Sequence, residues 1–410
     1  MHHMATTVLV IFLLVYVGML LGRYPRLQLD RTGIALLGAI ALLATGALRF
    51  EEAVAAVDTR TLALLFGLMV LSAQLRLGGF YTEVTRLLAA LGLSPKWLLA
   101  VLILAVGGLS AVFSNDIVCL AVTPVLVDAC RRRRLDPVPY LLGLAAAANV
   151  GSAATLIGNP QNMLIGQTLG VSFAGYLADA GLPALVGLAA TWAVIAFQHR
   201  GRWVLAAPQD AEYEDPQPFD RWQTTKGLVV ALVVLVAFLS TSWPREIVAL
   251  AAAGYLLTSR KLHSRSMLGL VDWQLLVLFI GLFIVNHALE QVGLVAAAVL
   301  GLEAHGVHLD QPAWLFTLTA FLSNAVSNVP AVMLILPLAH HPRAASILGL
   351  SSTLAGNLLI PGSIANIIVI DIALQRGIAI DWRRHARTGI PVTLVTLALA
   401  AIYLWLRSVY

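Results

Sequence analysis

Two short polar stretches lie inside otherwise apolar sequence, one in each half of the chain. Residues 114–116 read Ser-Asn-Asp and residues 327–329 read Ser-Asn-Val. A proline follows each serine ten residues later, at Pro124 and Pro337. Serine and asparagine donate and accept hydrogen bonds without the cost of burying a charge, so they can hold a small ion or polar solute at membrane depth. These residues predict a binding site rather than a catalytic one.

A second pair of polar stretches follows the first pair along the chain. Residues 158–162 read Gly-Asn-Pro-Gln-Asn and residues 362–366 read Gly-Ser-Ile-Ala-Asn. The serines are 213 residues apart (327 − 114) and the glycines 204 (362 − 158), so the first half is nine residues longer between its two stretches. Two helix-breaking clusters per half, in register, predict an internal duplication with interrupted helices. This pattern points to the binding site of a secondary transporter.

The composition of the chain indicates the class of protein in which these polar stretches lie. The protein has 410 residues, of which 59% are hydrophobic and 11% charged, and its mean hydropathy is +0.86. Apolar runs recur that are long enough to cross a hydrocarbon core of about 30 Å as helices. The net charge of +5 is scattered over the loops, which does not favour nucleic acid as a partner. No metal-ligand or phosphate-loop motif is found, so the sequence predicts neither an enzyme nor a metal site.

Charge placement predicts that the two halves cross the membrane in opposite directions. Residues 131–134 are four arginines, whereas the corresponding residues 340–343 hold one. At the next pair of corresponding loops the excess of arginine is in the second half. Residues 170–181 have no Lys or Arg, and residues 376–387 have four arginines. Cytoplasmic loops carry the excess of Lys and Arg, so corresponding loops are expected on opposite sides, with both termini outside.

The predicted fold is an all-α integral membrane protein with two inverted repeats. Each repeat has five transmembrane helices, a re-entrant hairpin and an interrupted helix. The predicted boundaries are 5–198 for the first repeat (hairpin 97–130, interrupted helix 140–169), 199–226 for a cytoplasmic linker, and 227–410 for the second repeat (hairpin 312–339, interrupted helix 344–375).

The candidate site residues are the small polar side chains and glycines at the hairpin tips and helix breaks. We expect them to line one polar cavity for a substrate or ion, although such residues can also simply join helices by interhelical hydrogen bonds. They are Ser114, Asn115, Asp116, Asn149, Gly158, Asn159, Gln161, Asn162, Ser327, Asn328, Asn357, Gly362, Ser363 and Asn366.

One acid stands out, because Asp116 is at a predicted hairpin tip and its counterpart in the second half is the apolar Val329. A carboxylate at that depth would take a proton or a cation, which predicts a coupling site for H⁺ or Na⁺ and no other cofactor. The alternative is a helix cap or a salt-bridge partner. Asp371 is a second candidate for coupling. Cys119 could offer a thiol to a soft metalloid, but a free cysteine is more often a small buried hydrophobe.

At these residues the chain resembles the ion transporter superfamily, which groups arsenite permeases, NhaD-type sodium/proton antiporters and divalent-anion/sodium symporters. The matching pieces are 113–116 with the Thr-Pro at 123–124, 149–162, 327–330 with Pro337, and 362–366. The symporters carry Ser-Asn-Thr at both tips, and neither tip has that threonine here. The resemblance is therefore nearer to the arsenite permease and NhaD branch. It implies a homodimer in which a transport domain moves like an elevator against a fixed scaffold.

The function expected from these residues and this resemblance is secondary active transport of a small inorganic or carboxylate anion or a metalloid oxyacid. The favoured substrate is arsenite or antimonite, extruded against a proton gradient across a bacterial inner membrane. Three alternatives stay open. They are sodium/proton antiport through Asp116, sodium-coupled symport of a dicarboxylate or sulfate, and a channel subunit that works with an accessory ATPase.

Overall fold

The computed structural model describes residues 2–22, 28–204 and 218–409, so the central part of the predicted linker, 205–217, lies outside the described residues. Over these ranges the chain forms α-helices joined by turns. In the first half they are α1 His2–Leu21, α2 Arg31–Ala44, α3 Phe50–Ala56, α4 Thr59–Leu77, α5 Phe80–Ala90, α6 Pro95–Val112, α7 Asn115–Arg132, α8 Pro137–Ser152, α9 Pro160–Thr168 and α10 Phe173–Gln198. In the second half they are α11 Arg221–Ser240, α12 Arg245–Leu257, α13 Ser264–Leu268, α14 Trp273–Gln291, α15 Leu294–Ala304, α16 Pro312–Val326, α17 Asn328–Ile335, α18 Ala344–Ala355, α19 Ile364–Gln375 and α20 Trp382–Val409.

The two halves have the same order of long and short helices, and their main helix–helix contacts occur in equivalent pairs. Helix α4 packs on α12 as α14 packs on α2, and α6 packs on α8 as α16 packs on α18. Helices α10 and α20 pack on each other. A duplicated chain whose halves are related by a pseudo-two-fold axis would produce such equivalent pairs of contacts. Which membrane face each half turns to stays a prediction.

Seven of the described helices are long and apolar enough to cross a membrane: α1, α4, α6, α10, α11, α14 and α20. Six of them correspond to predicted spans, whereas α6 is the first arm of the predicted hairpin 97–130. The other four of the ten predicted spans consist of shorter pieces. Helices α2 and α12 have 14 and 13 residues, which is about 20 Å of helix and shorter than the hydrocarbon core. The other two are the broken pairs α8–α9 and α18–α19.

The helices form two groups. The outer group is α1, α2, α4, α11, α12 and α14, whose members pack mainly on one another. The hairpin group is α6 to α10 with α16 to α20, and it contains both hairpins and both broken helices. The two groups meet along a seam where α1 contacts α16, α4 contacts α9 and α14 contacts α17. The connector α5 packs mainly on α7, whereas α15 packs on α14.

The two hairpin turns are built differently. In the first, the chain leaves α6 at Phe113, whose ring packs edge-on against Phe80 and Tyr81 with centroids 6.3 and 6.2 Å away. In the second, Ser327 alone separates α16 from α17 and has a φ of 78°. Helix α7 continues past its proline to 18 residues, but α17 ends after eight and passes into a 3₁₀ turn, Leu336–Leu338. A proline inside a helix removes one backbone hydrogen bond and permits either outcome.

Candidate functional site

Both hairpin tips and both helix breaks meet at one small cavity on the seam between the two helix groups. Its volume is about 30 Å³, room for about two water molecules. The outer group contributes one residue from each of α1, α2 and α14, and the hairpin group contributes the rest. The lining residues are Met19, Arg31, Asn115, Asp116, Pro160, Gln161, Leu278, Ser327, Asn328, Val329, Pro330, Ser363 and Ile364.

The first hairpin tip is bonded to the break between α8 and α9. The backbone N–H of Asn115 donates to the carbonyl of Gly158 at 3.1 Å. This approach requires a glycine, since a Cβ at Gly158 would lie 2.3 Å from the carbonyl oxygen of Ser152 and 2.7 Å from that of Ser110. The glycine therefore fixes where the tip of α7 begins.

Asn149 on α8 joins the two halves of the chain at the back of the cavity. Its Nδ2 donates to Oδ1 of Asn357 at 2.8 Å and to Oδ1 of Asn366 at 3.2 Å. Its Oδ1 accepts from Nδ2 of Asn115 at 3.3 Å and from the hydroxyl of Ser363 at 2.8 Å. Because Asn149 is fully buried and bonded in this way, it acts as a connector and not as a lining residue.

The second hairpin tip is tied to the facing break through the amide of Asn328. With its Nδ2 directed at the backbone, this amide donates to the carbonyls of Ser352 at 3.1 Å and Gly362 at 2.9 Å. Its oxygen then accepts from Nε2 of Gln161 at 3.2 Å. The hydroxyl of Ser323 also donates to the Ser352 carbonyl, at 2.8 Å. Asn328 thus links α17 to the broken helices of both halves.

The remaining asparagines satisfy backbone groups that the helix breaks leave free. Asn159 caps α9 by accepting from the backbone N–H of Asn162 at 2.9 Å. The Nδ2 of Asn162 donates to the carbonyl of Thr155 at 2.9 Å, and the Nδ2 of Asn366 donates to that of Gly356 at 2.8 Å. A backbone group buried without a partner is costly, so these side chains stabilise the broken helices.

The predicted site residues therefore divide into two sets. Six of the fourteen line the cavity: Asn115, Asp116, Gln161, Ser327, Asn328 and Ser363. The other eight lie outside its lining, in the hydrogen-bond network or the backbone of the tips and breaks: Ser114, Asn149, Gly158, Asn159, Asn162, Asn357, Gly362 and Asn366. Asp371 is exposed on α19 and is not among the lining residues, and Cys119 is fully buried away from the cavity.

Asp116 is the second residue of α7 and points to ligand chemistry rather than to capping. The capping position belongs to Ser114, and the backbone N–H of Asp116 is bonded to Oδ1 of Asn115 at 3.0 Å. Within the described part of the chain, the Asp116 carboxylate has no hydrogen bond and no ion pair. Its counterpart Val329 is buried in the opposite wall of the cavity. The carboxylate is thus available to a proton or a cation.

Arg31, which the sequence reasoning missed, brings the opposite charge to the same cavity. Of the described residues that line the cavity, Arg31 and Asp116 are the two with a formal charge. Its Nη2 donates to the carbonyl of Pro361 at 3.2 Å, and its Nη1 is buried without a partner among the described residues. Arg31 is the first residue of α2, where the helix dipole disfavours a cation. This placement gives no distinctive sequence signal, because Arg221 and Arg245 also begin helices.

Comparison with known proteins gives a family and a set of relatives. A family model described as CitMHS, citrate transporter, matches residues 8–347. The inner membrane protein YbiR of Escherichia coli is 31% identical over 336 residues, covering 81% of this chain and 84% of that protein. A 46 kDa membrane protein of Mycobacterium leprae is 29% identical, covering 93% of this chain and 94% of that protein. The silicon efflux transporter LSI3 of rice is 28% identical, covering 92% of each.

Among solved structures, the YdaH transporter of Alcanivorax borkumensis has a similar fold. The TM-score is 0.59 at 14% identity, and the match covers 100% of this chain and 99% of that one. The structure of YdaH was described as having an unusual topology. At this identity the likeness concerns the fold alone.

Proposed function

The chain belongs to the CitMHS citrate transporter family and is a multi-pass membrane transporter of the secondary type, not an enzyme, and we propose that it moves a small oxyacid through the central cavity in exchange for protons. Arsenous and antimonous acid are the favoured substrates. One observation carries the proposal: two hairpin tips, two helix breaks and one unpaired carboxylate close on a single small cavity.

The size and the chemistry of the cavity support a small oxyacid. A solute with few heavy atoms would require less opening of this cavity of about 30 Å³ than a large solute, and the lining offers two serine hydroxyls from the second half and amide groups from both halves. Such neutral groups pair with hydroxyl groups without burying a net charge. Arsenous, antimonous and silicic acids are small hydroxides that are uncharged near neutral pH. The relative named as a silicon efflux transporter also handles a compound of this class.

Asp116 supports proton coupling. A carboxylate inside a membrane protein is costly when it is charged and unpaired, so it exchanges a proton or a cation as its surroundings change. Asp116 and Arg31 line the same cavity without an ion pair between them, so a movement that changed the distance between the two groups would change the balance between the charged and the protonated form of the carboxyl group. Sodium is the alternative coupling ion, because neutral amide oxygens and a carboxylate are also the ligands that a hard cation prefers.

A carboxylate anion is the second candidate cargo. The description of the family as citrate transporters favours it, and so does the positive charge of Arg31 at the cavity. A tricarboxylate needs more room than this cavity offers, so its transport would require the hairpin group to open away from the outer group. Sodium/proton antiport and a channel driven by an accessory ATPase have no comparable observation in their favour.

The arrangement of the helices supports movement of one group against the other. The cavity lies on the seam, with Met19, Arg31 and Leu278 on the outer group and the polar groups on the hairpin group. Displacement of the hairpin group would carry its polar groups and a bound solute past two fixed apolar residues, Met19 and Leu278, and the fixed, charged Arg31. We propose that the outer group is the scaffold, that the two halves are inverted repeats with the boundaries predicted above, and that the protein is a homodimer in a bacterial inner membrane.

The proposed topology places residues 131–134 and 383–387 in the cytoplasm, the loop at 340–343 outside, and both termini outside. Cysteines introduced one at a time as Arg132→Cys, His340→Cys and Arg383→Cys test it with an impermeant maleimide applied to whole cells. The native Cys119 and Cys130 are both buried, so background labelling is expected to be low. Labelling is expected at position 340 alone. Labelling at 383 without labelling at 340 would overturn the inverted-repeat arrangement.

Proteoliposome flux tests the substrate and the coupling together. Arsenite, antimonite, silicic acid and citrate are offered with and without an imposed pH difference. The wild type is expected to accumulate arsenite or antimonite against its gradient only when the pH difference is present. Asp116→Asn keeps the shape of the side chain and is expected to retain exchange while losing pH-driven accumulation. Asp371→Asn, at an exposed position, is the matched control and is expected to behave as the wild type.

Two results would contradict this proposal. Citrate transport without arsenite or antimonite transport would move the cargo to the carboxylate class. Undiminished pH-driven accumulation by Asp116→Asn would remove the coupling role from this carboxylate.

A further inference from the structure

A second cavity lies between the end of α4, the connector α5 and the second arm of the first hairpin, α7. Its volume is about 490 Å³, within the range of small-molecule sites. It shares no lining residue with the central cavity and lies on the side of the molecule that carries residues 131–134. We call it the basic cleft, because five arginines and one acid, Asp128, line it. The arginines are Arg76, Arg86, Arg132, Arg133 and Arg376.

Several of these arginines have local structural roles. Arg376 forms an ion pair with Asp128 at 2.8 Å, and Arg86 pairs with Glu83 at 2.6 Å. Arg133 donates to the carbonyls of Ala89, Leu91 and Leu93 at 2.8 to 3.2 Å and so holds the end of α5 against α7. These partners explain why the residues are positioned as they are, but they offset only part of the positive charge.

Arg76 differs from the arginines with such partners. It lies in the last turn of α4 and is half-buried. Within the described residues, its guanidinium has no hydrogen bond and no ion pair. A cation near a helix C-terminus complements the dipole, but a half-buried guanidinium also needs acceptors for its five N–H groups. An anion in the cleft would supply them.

The corresponding cleft in the second half shows that this charge is specific to one side. It lies between α14, α15 and α17, measures about 170 Å³, and among its described lining residues has no Lys or Arg. Glu290, next to last in α14, stands where Arg76 stands next to last in α4. The enrichment of Lys and Arg on the cytoplasmic side would account for an excess of arginine near residues 131–134, but it does not account for a half-buried guanidinium without a described partner inside the cleft, as at Arg76.

We propose that the basic cleft binds a multiply charged oxyanion, either a phosphate or a polycarboxylate, with Arg76 as its principal ligand. A low-dielectric cleft lined by charges of one sign concentrates counter-ions of the other sign. Guanidinium groups bind phosphate and carboxylate oxygens in pairs, which makes arginine the suitable residue. One wall of the cleft belongs to α4 and α5 and the other to the hairpin arm α7. A bound anion bridges the two walls and slows transport by holding the hairpin in place.

The test uses purified full-length protein at constant ionic strength. Inorganic phosphate and citrate are each titrated while thermal unfolding is followed, and the same titrations are repeated on arsenite exchange in proteoliposomes. Both anions are expected to raise the unfolding temperature and to slow exchange. Arg76→Gln is expected to weaken both effects about tenfold or more, the change expected for the loss of a charged hydrogen-bonding partner. Arg260→Gln, at an exposed arginine outside the cleft, is the matched control and is expected to change neither effect.

Two further experiments identify the source of the anion and the place where it binds. Nanodiscs of phosphatidylcholine with and without phosphatidylglycerol are compared by native mass spectrometry. Arg76-dependent retention of phosphatidylglycerol alone would assign the oxyanion to a lipid headgroup. Asn115→Ala is expected to keep the anion-induced rise in unfolding temperature, since the central cavity is not involved. Only the unfolding temperature is compared for this variant, because it is expected to lose substrate binding. Arg76→Lys keeps the charge but loses paired hydrogen bonds, so it provides an intermediate result if Arg76→Gln fails to fold.

Two outcomes overturn the proposal. Equal affinity of the wild type and Arg76→Gln for both anions and for the lipid would remove Arg76 as a ligand. Loss of the anion effect in Asn115→Ala would place the anion in the central cavity. Neither outcome affects the proton-coupled transport of arsenite or antimonite proposed above, because the flux of each is measured in the absence of phosphate and citrate.

Discussion

The hairpin α6–α7 and the hairpin α16–α17 occupy matching positions in the two halves, but their tips differ in chemistry. The first tip presents Asn115 and Asp116 to the central cavity, and the second presents Ser327, Asn328 and the apolar Val329. Both tips bond to a broken helix through an asparagine amide, that of Asn115 to Asn149 within α8 and that of Asn328 to the carbonyl of Gly362 at the break before α19. The halves therefore share the neutral hydrogen-bonding frame, whereas the titratable group is found in one of them.

The surroundings of the two hairpins also differ in charge, and the charged groups are again in the first half. Helix α5 packs on α7 and closes one side of a cleft of about 490 Å³ with five arginines. Helix α15 packs on α14 and buries none of its residues, and its cleft of about 170 Å³ has no Lys or Arg among the described lining residues. The comparison teaches that duplication fixed the order of the helices, whereas charge was distributed independently of it.

The arginines that begin α2 and α12 show the same divergence. Arg31 donates to the carbonyl of Pro361, and one of its buried nitrogens has no partner in the described ranges. Arg245 donates to the carbonyls of both Gly166 and Val171 at 2.9 Å, at the end of α9 and beyond it. Arg31 lines the cavity, whereas Arg245 joins α12 to the end of α9.

The largest effect is expected from removing what the two tips share. Asn115→Ala and Asn328→Ala should each abolish substrate-induced stabilisation, because each removes an amide that lines the cavity and bonds a hairpin tip to a broken helix. A ligand at one hundred times its Kd adds about 2.7 kcal/mol to the free energy of unfolding of the wild type, and both variants should lose this increment in thermal-shift measurements. A variant that binds like the wild type would make its tip purely structural and would end the equivalence of the two tips.

The next effect concerns what the tips do not share. The double variant Asp116→Val with Val329→Asp moves the carboxylate to the second half and keeps the composition of the cavity. We expect it to exchange substrate at equal concentrations but to lose pH-driven accumulation in proteoliposomes, because Arg31 and the first tip no longer surround the carboxylate. Restored accumulation would mean that the cavity needs one carboxylate at either tip and that the halves are interchangeable.

A smaller effect is expected when the two arginines are compared. Arg31→Gln should weaken the apparent affinity for the cargo about tenfold, since it removes a charged hydrogen-bonding group from the cavity, and should change the unfolding temperature little. Arg245→Gln should leave the affinity unchanged and lower the free energy of unfolding by about 1 kcal/mol, because two carbonyls lose a charged donor. Flux and thermal unfolding of both variants separate these outcomes. The reverse pattern would assign the functional role to α12.

The smallest effect is expected in the backbone of the turns. Ser327 has a φ of 78°, which a side chain disfavours and glycine adopts readily. Ser327→Gly should therefore raise the free energy of unfolding by about 1 kcal/mol. Ser114, the matched position, has a φ of −54°, and Ser114→Gly should lower it by a similar amount, because the unfolded chain gains freedom. Thermal unfolding of both variants measures the difference, and a shift of the same sign at both positions would contradict it.

Local sequence was enough to locate the hairpin tips and the start of the second arm of each broken helix, whereas the first arms α8 and α18 end at Ser152 and Ala355, before the predicted breaks. Glycine, proline and asparagine change which backbone conformations and hydrogen bonds are accessible, so the tips at 114–116 and 327–329 and the breaks at 158–162 and 362–366 can be identified without knowledge of the packing. The apolar composition likewise indicated a helical membrane protein, because a chain in hydrocarbon must satisfy its backbone within helices or a closed sheet. The fixed offset between halves indicated the repeated order of the helices.

Only the tertiary structure decided which of these residues face the cavity. Asn149 and Asn366 have the same side chain as Asn115 but do not line the cavity, because the amide of Asn149 bonds to Asn357 and Asn366 in the other half and the Nδ2 of Asn366 bonds to the carbonyl of Gly356 in its own half. Asp371 is only five residues beyond Asn366 and still ends on the exposed face of α19. Arg31 reaches Pro361 across 330 residues of sequence. Sequence spacing defines the face of a helix, but contact between helices depends on how distant segments pack, and no local pattern encodes that.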